Sequence, residues 1–106
     1  MAFSIKQNDT SPSLQATLKD STLTPIGLNG ATVQLHMKSL GGVVKVNETM
    51  TIVDSDNGII RYDWQTGDTD TVGTYNVEFQ VTYSDTTIET FPNNGNLVIN
   101  VVRELS

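Results

Sequence analysis

Hydrophobic and polar residues alternate without a break along the stretch from Gly73 to Tyr83. Every second position is hydrophobic, and the series is Tyr75, Val77, Phe79, Val81 and Tyr83. A two-residue period is typical of a β-strand with one buried and one wet face, because a helix would spread the same side chains around its axis. The stretch predicts a half-buried strand around which the remaining chain is organised.

The same period recurs in shorter form along most of the chain. It is clear at residues 14–18, 31–38, 59–65 and 97–101, with shorter strand-like pieces at 2–7, 43–46, 49–53 and 86–91. Turn formers separate these pieces, namely Asn8 to Pro12, Asp20 to Gly30, Gly41-Gly42, Asp54 to Gly58, Ser84-Asp85 and Pro92 to Gly95. We predict seven or eight short strands from this pattern and no helix.

Two details of register follow from the same reasoning. Asn47 and Glu48 are expected to separate two strand pieces, the second of which buries Met50. The loop after Tyr83 is expected to have an even number of residues, because this places Ile88 on the buried face, whereas an odd register would bury Glu89 instead.

The segment from Asp70 to Tyr75 resembles a tyrosine corner, in which a tyrosine hydroxyl near the start of a strand bonds back to upstream backbone. Val77 then stands where antibody domains carry their second cysteine. Together with the short strands and frequent turns, this predicts an all-β fold, an antiparallel immunoglobulin-like β-sandwich of seven to eight strands. We expect one domain spanning residues 1–106.

Composition narrows the classes of function. The chain of 106 residues is long enough to bury a core, and it has no cysteine for a disulfide framework or a thiolate zinc site. Twelve acidic and six basic residues give a net charge of −6, which repels polyphosphates and anionic membranes, so we expect no nucleic-acid or membrane partner. Without a signal-like start or a bilayer-spanning apolar run, we expect a soluble protein made in a cytoplasm.

Candidate metal chemistry is confined to the turn before Gly58. Asp54, Asp56 and Asn57 resemble the start of a calcium loop, but Gly58 comes one residue early for an EF-hand, and Gln65 stands where the bidentate glutamate belongs. An Asx-rich turn explains the same residues, and we expect no metal and no cofactor.

Candidate catalytic groups are few. His36 is the only histidine and lies on the polar side of its strand, which favours a solvated or interface residue. Asp63 with Glu78 could serve as the carboxylate pair of a glycosidase, although acidic side chains are ordinary on sandwich surfaces. No nucleophile elbow, histidine pair or cysteine nucleophile is present. We predict that the protein is not an enzyme.

Tyr62 and Trp64 support two interpretations. Their alternation with Ile60 favours burial in the core, and the competing interpretation is a platform that stacks on a sugar ring. The second possibility supports an alternative function, a carbohydrate-binding module that aids adhesion to a glycan of the host cell surface.

Several motifs, taken in order, resemble the N-terminal domain of phage baseplate upper proteins. The longest is Gly58-x-x-x-Tyr62-x-Trp64-x-x-x-Asp68-Thr69-x-x-x-Gly73-x-Tyr75-x-x-Glu78-Phe79-x-Val81-Thr82-Tyr83, followed by Thr90-Phe91-Pro92-Asn93. Similar segments are Ile5-x-Gln7-x-Asp9-Thr10 and Leu28-x-Gly30-Ala31-Thr32-Val33-x-Leu35-x-Met37. The resemblance extends over nearly the whole chain. At Thr86 it breaks, because family members often have glycine there, and we predict a loop longer than a type I′ turn.

The resemblance implies a non-enzymatic attachment module in the virions of phages of Gram-positive bacteria, synthesised in the cytoplasm of the bacterial host. It implies docking on other phage structural proteins of the tail, baseplate, neck or capsid. Family members continue into helical and receptor-facing regions, so if the protein is complete at Ser106, it is expected to be the attachment module alone. A small symmetric homo-oligomer is also compatible with such a module.

The first strand is the candidate docking element. It is short, carries a single Lys6, and leads into the turn from Asn8 to Pro12. We expect it to add backbone hydrogen bonds to an adjacent subunit, with Phe3 and Ile5 entering apolar pockets of that neighbour. On this expectation, a chain without residues 1–7 folds with an almost unchanged melting temperature but is not incorporated into particles.

Overall fold

The computed structural model of the protein describes residues 2–92 and 97–104. These residues form nine β-strands and no helix. The strands are β1 Ala2–Lys6, β2 Leu14–Thr17, β3 Thr32–Ser39, β4 Val44–Thr49, β5 Thr51–Asp54, β6 Ile59–Tyr62, β7 Gly73–Thr82, β8 Ile88–Phe91 and β9 Leu97–Val102. Within the described ranges there is thus no helix long and apolar enough to cross a membrane.

Two sheets enclose the core. The larger sheet has the strand order β1-β9-β7-β3-β4, and β8 also pairs with β7, beyond the end of β9. The smaller sheet has the order β2-β6-β5. The predicted all-β sandwich is confirmed, with nine strands among the described residues where seven or eight were expected.

Strand β7 lies at the centre of the larger sheet, as its alternation predicts. Tyr75, Val77, Phe79 and Val81 are all buried, and the residues between them face outward. The hydroxyl of Tyr75 donates a hydrogen bond to the carbonyl oxygen of Thr71 at 2.7 Å. The bond back to upstream backbone confirms the tyrosine corner.

Strand β1 departs from the predicted antiparallel arrangement, because it pairs with β9 in parallel. The other strand pairs of the two sheets are antiparallel. Alternation of side chains identifies which face of a strand is buried but carries no information about the direction of its neighbour. The larger sheet is therefore mixed.

The chain leaves the larger sheet at Met50, two residues after the predicted break at Asn47 and Glu48. Asn47 and Glu48 do not interrupt a strand: they belong to β4 and pair with His36 and Leu35 of β3. Met50 separates β4 from β5, and its side chain is buried between the sheets. Its N–H donates to the carbonyl oxygen of Val33 at 2.8 Å, which anchors the crossing.

The predicted position of Ile88 is wrong. Ile88 pairs with Thr82 and is 61% exposed, whereas Glu89 pairs with Val81 on the inward side. The hydroxyl of Tyr83 donates to the Glu89 carboxylate at 2.7 Å, which provides a polar partner for this side chain. Burial is the main cause that raises the pKa of Tyr83 to about 12, and this hydrogen bond is the second.

The hairpin between β7 and β8 explains this register. The N–H of Tyr83 donates to the carbonyl oxygen of Thr87, so the loop between them has the three residues 84–86, an odd number. Three-residue hairpins usually end on a residue in the left-handed region, and Thr86 has φ 72°. The next predicted turn, from Pro92 to Gly95, lies outside the described residues beyond Pro92, as does the tail beyond Glu104.

Gly58 is required where the smaller sheet meets the loop that precedes β3. It has φ +65°, and a Cβ atom there would lie 2.7 Å from the carbonyl oxygen of Leu18 and 2.9 Å from that of Ile26. Only glycine combines this backbone conformation with such a close approach. The Leu18 N–H in turn donates to the Gly58 carbonyl oxygen at 2.8 Å.

Candidate functional site

The structure gives the two predicted docking side chains contacts within their own domain. Ile5 is 4% exposed and belongs to the core. Phe3 is half-buried, and its ring centroid lies 6.2 Å from that of Trp64. Docking of Phe3 and Ile5 on a neighbour stays a prediction, and it requires β1 to leave this position.

The segment after β1 is also tied to the body of the domain. Gln7 donates through its side chain to the carbonyl oxygen of Asp70 at 2.9 Å, and the N–H of Asn8 donates to Thr69 at 2.9 Å. The buried hydroxyl of Thr69 donates to the carbonyl oxygen of Asp9 at 2.8 Å. Residues 7–9 are therefore fixed by long-range hydrogen bonds.

The outer edge of β1 presents unpaired backbone. The N–H of Gln7 donates to Val102 of β9 at 2.7 Å, so it points toward the sheet. Because successive N–H groups of a strand point to alternate sides, those of Ser4 and Lys6 point away from β9. In the described part of the chain β1 is the terminal strand of its sheet, so this edge is open to an additional strand.

Tyr62 and Trp64 are buried, which confirms the interpretation that they fill the core. Their rings meet edge to face, with centroids 5.4 Å apart and an interplanar angle of 87°. The indole N–H donates to the carbonyl oxygen of Pro12 at 3.1 Å, and the Tyr62 hydroxyl donates to Asp68 at 2.6 Å. Burial is the main cause that raises the pKa of Tyr62, and the hydrogen bond to Asp68 is the second. In this arrangement neither ring is open to a sugar.

The two carboxylates considered for glycoside hydrolysis lie in different settings. Asp63 directly follows β6 of the smaller sheet, accepts a hydrogen bond from Ser13 at 2.6 Å, and is paired with Arg61 at 3.2 Å. Glu78 lies on the outward face of β7 in the larger sheet. The structure therefore does not bring Asp63 and Glu78 together as a catalytic pair.

The turn from Asp54 to Gly58 is built by hydrogen bonds to one carboxylate. Asp54 accepts from the backbone N–H groups of Asp56 and Asn57 at 3.1 and 3.3 Å, and from the Asn57 side chain at 2.8 Å. The side-chain bond is the main cause that lowers the pKa of Asp54. This is the Asx-rich turn that the sequence predicts.

The outward face of the larger sheet is a flat polar surface. Its strands present mostly uncharged side chains there, including Gln34, Asn47, Thr74, Asn76, Gln80, Thr90 and Asn100. Some are bonded to each other: Gln34 donates to Asn47 at 2.8 Å, and Thr74 donates to Asn100 at 3.0 Å. His36 lies among them, opposite Asn47 and Glu78 on the two neighbouring strands.

A depression of about 270 Å³ opens in this face beside the β3–β4 turn. It is lined by His36, Lys38, Ser39, Leu40, Gly42, Asn76 and Glu78. The turn itself is well fixed, because Ser39 donates its N–H to Val43 at 2.9 Å and accepts the N–H of Val43 on its side-chain oxygen at 3.1 Å. His36 is therefore a surface residue at the wall of a shallow depression.

Three exposed hydrophobic residues surround this turn, and sequence reasoning missed them. Leu40 and Val43 are each 70% exposed, and Val44 is 56% exposed. A signal was present in the sequence, since Gly41-Gly42 predicts a hairpin turn, and in the structure Leu40 lies in the three-residue loop 40–42 that the Ser39–Val43 hydrogen bond closes. We call Leu40, Val43 and Val44 the hairpin patch.

Comparison with solved structures supports the fold. The crystal structure of CopC from Methylosinus trichosporium OB3b superposes with a TM-score of 0.54, covering 98% of this chain and 86% of that one. The sequences are 14% identical, so the likeness extends to the fold alone. No curated protein matches the chain.

Comparison with protein families gives a more specific result. The profile of the BppU N-terminal domain matches residues 2–104, which is nearly the whole chain and includes every residue that the structure describes. The match agrees with the motifs that resemble the N-terminal domain of phage baseplate upper proteins. The chain therefore belongs to the family of BppU N-terminal domains, which are structural modules of the phage baseplate.

Proposed function

We propose that this protein is a non-enzymatic attachment module that docks on other structural subunits of the phage particle. The observation that carries the proposal is the family match across residues 2–104. A baseplate domain works by contact with neighbouring structural proteins, and the rigid two-sheet core, with an open strand edge, suits such contact. The site of attachment is the tail, the baseplate, the neck or the capsid.

Mass spectrometry of purified particles tests this function. We expect the protein in a fixed ratio to the other particle proteins after a density gradient, and cross-links between its lysines and a neighbouring subunit. A non-structural phage protein from the same lysate serves as the control for contamination. Loss of the protein from particles during purification, at the same rate as the control, would contradict the proposal.

The outer edge of β1 is the docking edge that we propose. An extended segment of a neighbouring subunit that pairs with it would receive the outward N–H groups of Ser4 and Lys6. Main-chain bonds of this kind provide affinity without a deep pocket, and many copies on one particle add their contributions through multivalency.

Ser4→Pro tests this edge. Proline removes one outward donor and is tolerated on an edge strand, so we expect a folded domain that is no longer incorporated into particles. Ser4→Ala is the matched control, because it changes the side chain and keeps the N–H. Equal incorporation of the two variants would exclude the β1 edge as the docking element.

The predicted docking of Phe3 and Ile5 adds a condition, namely that β1 leaves its own sheet and packs on the neighbour. Ser4 and Asn100 face each other across β1 and β9, so cysteines at both positions have the spacing for a disulfide that locks β1 in place. The natural chain has no cysteine to compete. If β1 exchange is required, the oxidised double variant fails to join particles and regains this ability on reduction. Incorporation of the oxidised form would show that Phe3 and Ile5 remain packed in their own domain.

A further inference from the structure

Charge is distributed unevenly over the two sides of the molecule. On the outward face of the larger sheet the charged side chains are Lys6 and Lys38 against a single Glu78, a formal charge of +1. The rest of the chain has four basic and eleven acidic side chains, a formal charge of −7, and the two parts add to −6. Among two-fold arrangements, in which the same surface of both copies meets, contact through these outward faces therefore has the least repulsion between the copies.

The same face carries a projection next to a hollow. Leu40 of the hairpin patch is 70% exposed, and it borders the depression that His36, Asn76 and Glu78 also line. A depression of about 270 Å³ has room for a leucine side chain. A surface with both features side by side is complementary to itself, which is the requirement of a two-fold interface.

The charges around the depression are also complementary to themselves about a two-fold axis. Lys38 and Glu78 both line it, on neighbouring strands, and Lys38 has no salt bridge within residues 2–92 and 97–104. When two such faces meet about a two-fold axis, the lysine of each copy is able to lie against the glutamate of the other.

We propose that the outward face of the larger sheet, centred on the hairpin patch, binds a second copy of this chain. In this two-fold dimer Leu40 of each copy enters the depression of the other, and two Lys38–Glu78 pairs form across the interface. The proposal goes beyond attachment through β1, which lies at the other end of the strand order.

Sedimentation velocity of the full chain over a concentration series tests the dimer. We expect Lys38→Glu and Glu78→Lys each to raise the dissociation constant about tenfold or more, because each places like charges against each other. The Lys38→Glu/Glu78→Lys double variant should regain the affinity of the natural chain. Net charge alone predicts otherwise, since Glu78→Lys makes the chain less acidic and would strengthen association.

Leu40→Asp tests the apolar part of the interface and is expected to abolish the dimer. Leu23→Asp is the matched control, because Leu23 is 76% exposed in the loop between β2 and β3, away from this face. Melting temperatures near that of the natural chain verify that the variants fold. A natural chain that remains monomeric at millimolar concentration would overturn the proposal, and so would a dimer unaffected by Leu40→Asp or a charge-swapped double variant that stays dissociated.

Discussion

The strands at the two ends of the order of the larger sheet, β1 and β4, differ in how they meet an additional strand. β4 has a register shift at Lys45, which has no paired residue on β3. Glu48 pairs with Leu35 on the inward side of the sheet. A bulge and an inward-placed charge both obstruct edge pairing. β1 has neither, since its residues pair with β9 in an unbroken register.

The difference indicates which edge is available to a partner. Both strands extend one sheet over one core, so packing alone does not distinguish them. The obstruction of β4 opposes growth of the sheet on that side, whereas the regular backbone of β1 leaves its edge open to an additional strand. For the proposed attachment through β1 one open edge suffices, whereas two open edges would permit chains of indefinite length.

The largest effect is expected from the core that both edges share. Phe79 is buried and lies between Leu35 and Phe91 of the adjacent strands, so Phe79→Ala should lower the free energy of unfolding by about 3 to 5 kcal/mol. Thr82→Ala, on the outward face of the same strand, should have a far smaller effect. Urea unfolding measures both, and similar midpoints would mean that the faces of β7 are reversed.

The next effect separates an integral β1 from a detachable one. Because Ile5 is buried in the core, Ile5→Ala should lower the free energy of unfolding by about 2 to 5 kcal/mol. Ser4→Ala, on the exposed side, should change it by less than about 0.5 kcal/mol. The structure thus revises the expectation that a chain without residues 1–7 keeps its stability. Equal urea midpoints for the two variants would restore it.

A smaller, pH-dependent effect is expected at the bulged part of β4. Lys45 donates to Asp70, and this bond, with a second from Thr71, lowers the pKa of Asp70 below its ordinary 3.8. A lowered folded-state pKa stabilises the fold fully above the ordinary value, and this contribution is lost as pH falls through the folded-state value. The pKa values of Asp20, Asp54 and Asp85 are lowered too, so the stabilising contribution of each of the four carboxylates is lost in acid.

Thermal unfolding between pH 7 and pH 2 checks this prediction. At neutral pH, Asp70→Asn should melt at a lower temperature than the natural chain, and the two curves should converge in acid. Asp9→Asn is the control, because Asp9 accepts the hydrogen bond from Thr69 on its backbone carbonyl oxygen, which the substitution leaves in place. A difference between natural chain and Asp70→Asn that persists at pH 2 would contradict the assignment to the Lys45–Asp70 pair.

The smallest effect on stability, but a clear one on solubility, is expected at Glu48. Glu48→Val removes the inward charge from an exposed edge position, so stability should change by less than about 0.5 kcal/mol while aggregation increases. Thr49→Val adds the same side chain to the outward side of β4 and leaves Glu48 in place. Light scattering at increasing concentration compares the two. Equal aggregation would show that Glu48 does not guard this edge.

Side-chain alternation predicted the parts of the fold in which it persists over a whole strand. The buried faces of β3, β7 and β9 and the tyrosine corner at Tyr75 were predictable from local pattern. Ile88 was not, because its face depends on the number of residues in the preceding loop, and Thr86 adopts a conformation more usual for glycine. The parallel pairing of β1 with β9 was also not predictable from the sequence, because side-chain alternation does not encode the direction of the neighbouring strand.

The candidate surfaces were predictable to different degrees. The short first strand was recognisable as an edge from its length and its turn, although the contacts of Ile5 with its own core required the fold. The hairpin patch was missed because isolated apolar residues around Gly41-Gly42 look like the ends of core strands. Lys38 and Glu78 lie on different strands, and only the pairing of β3 with β7 brings them to one depression.

The parallel pairing of β1 with β9 sets the order in which the molecule is able to fold. It joins β1, the first strand of this domain, with β9, its ninth, so β1 has no partner in its own sheet until β9 has left the ribosome. Contacts between residues so far apart in sequence form slowly, because a long loop must close first. We expect β1 to dock in the final kinetic phase of refolding. The edge proposed for docking is thus expected to be the part of the domain that is completed last.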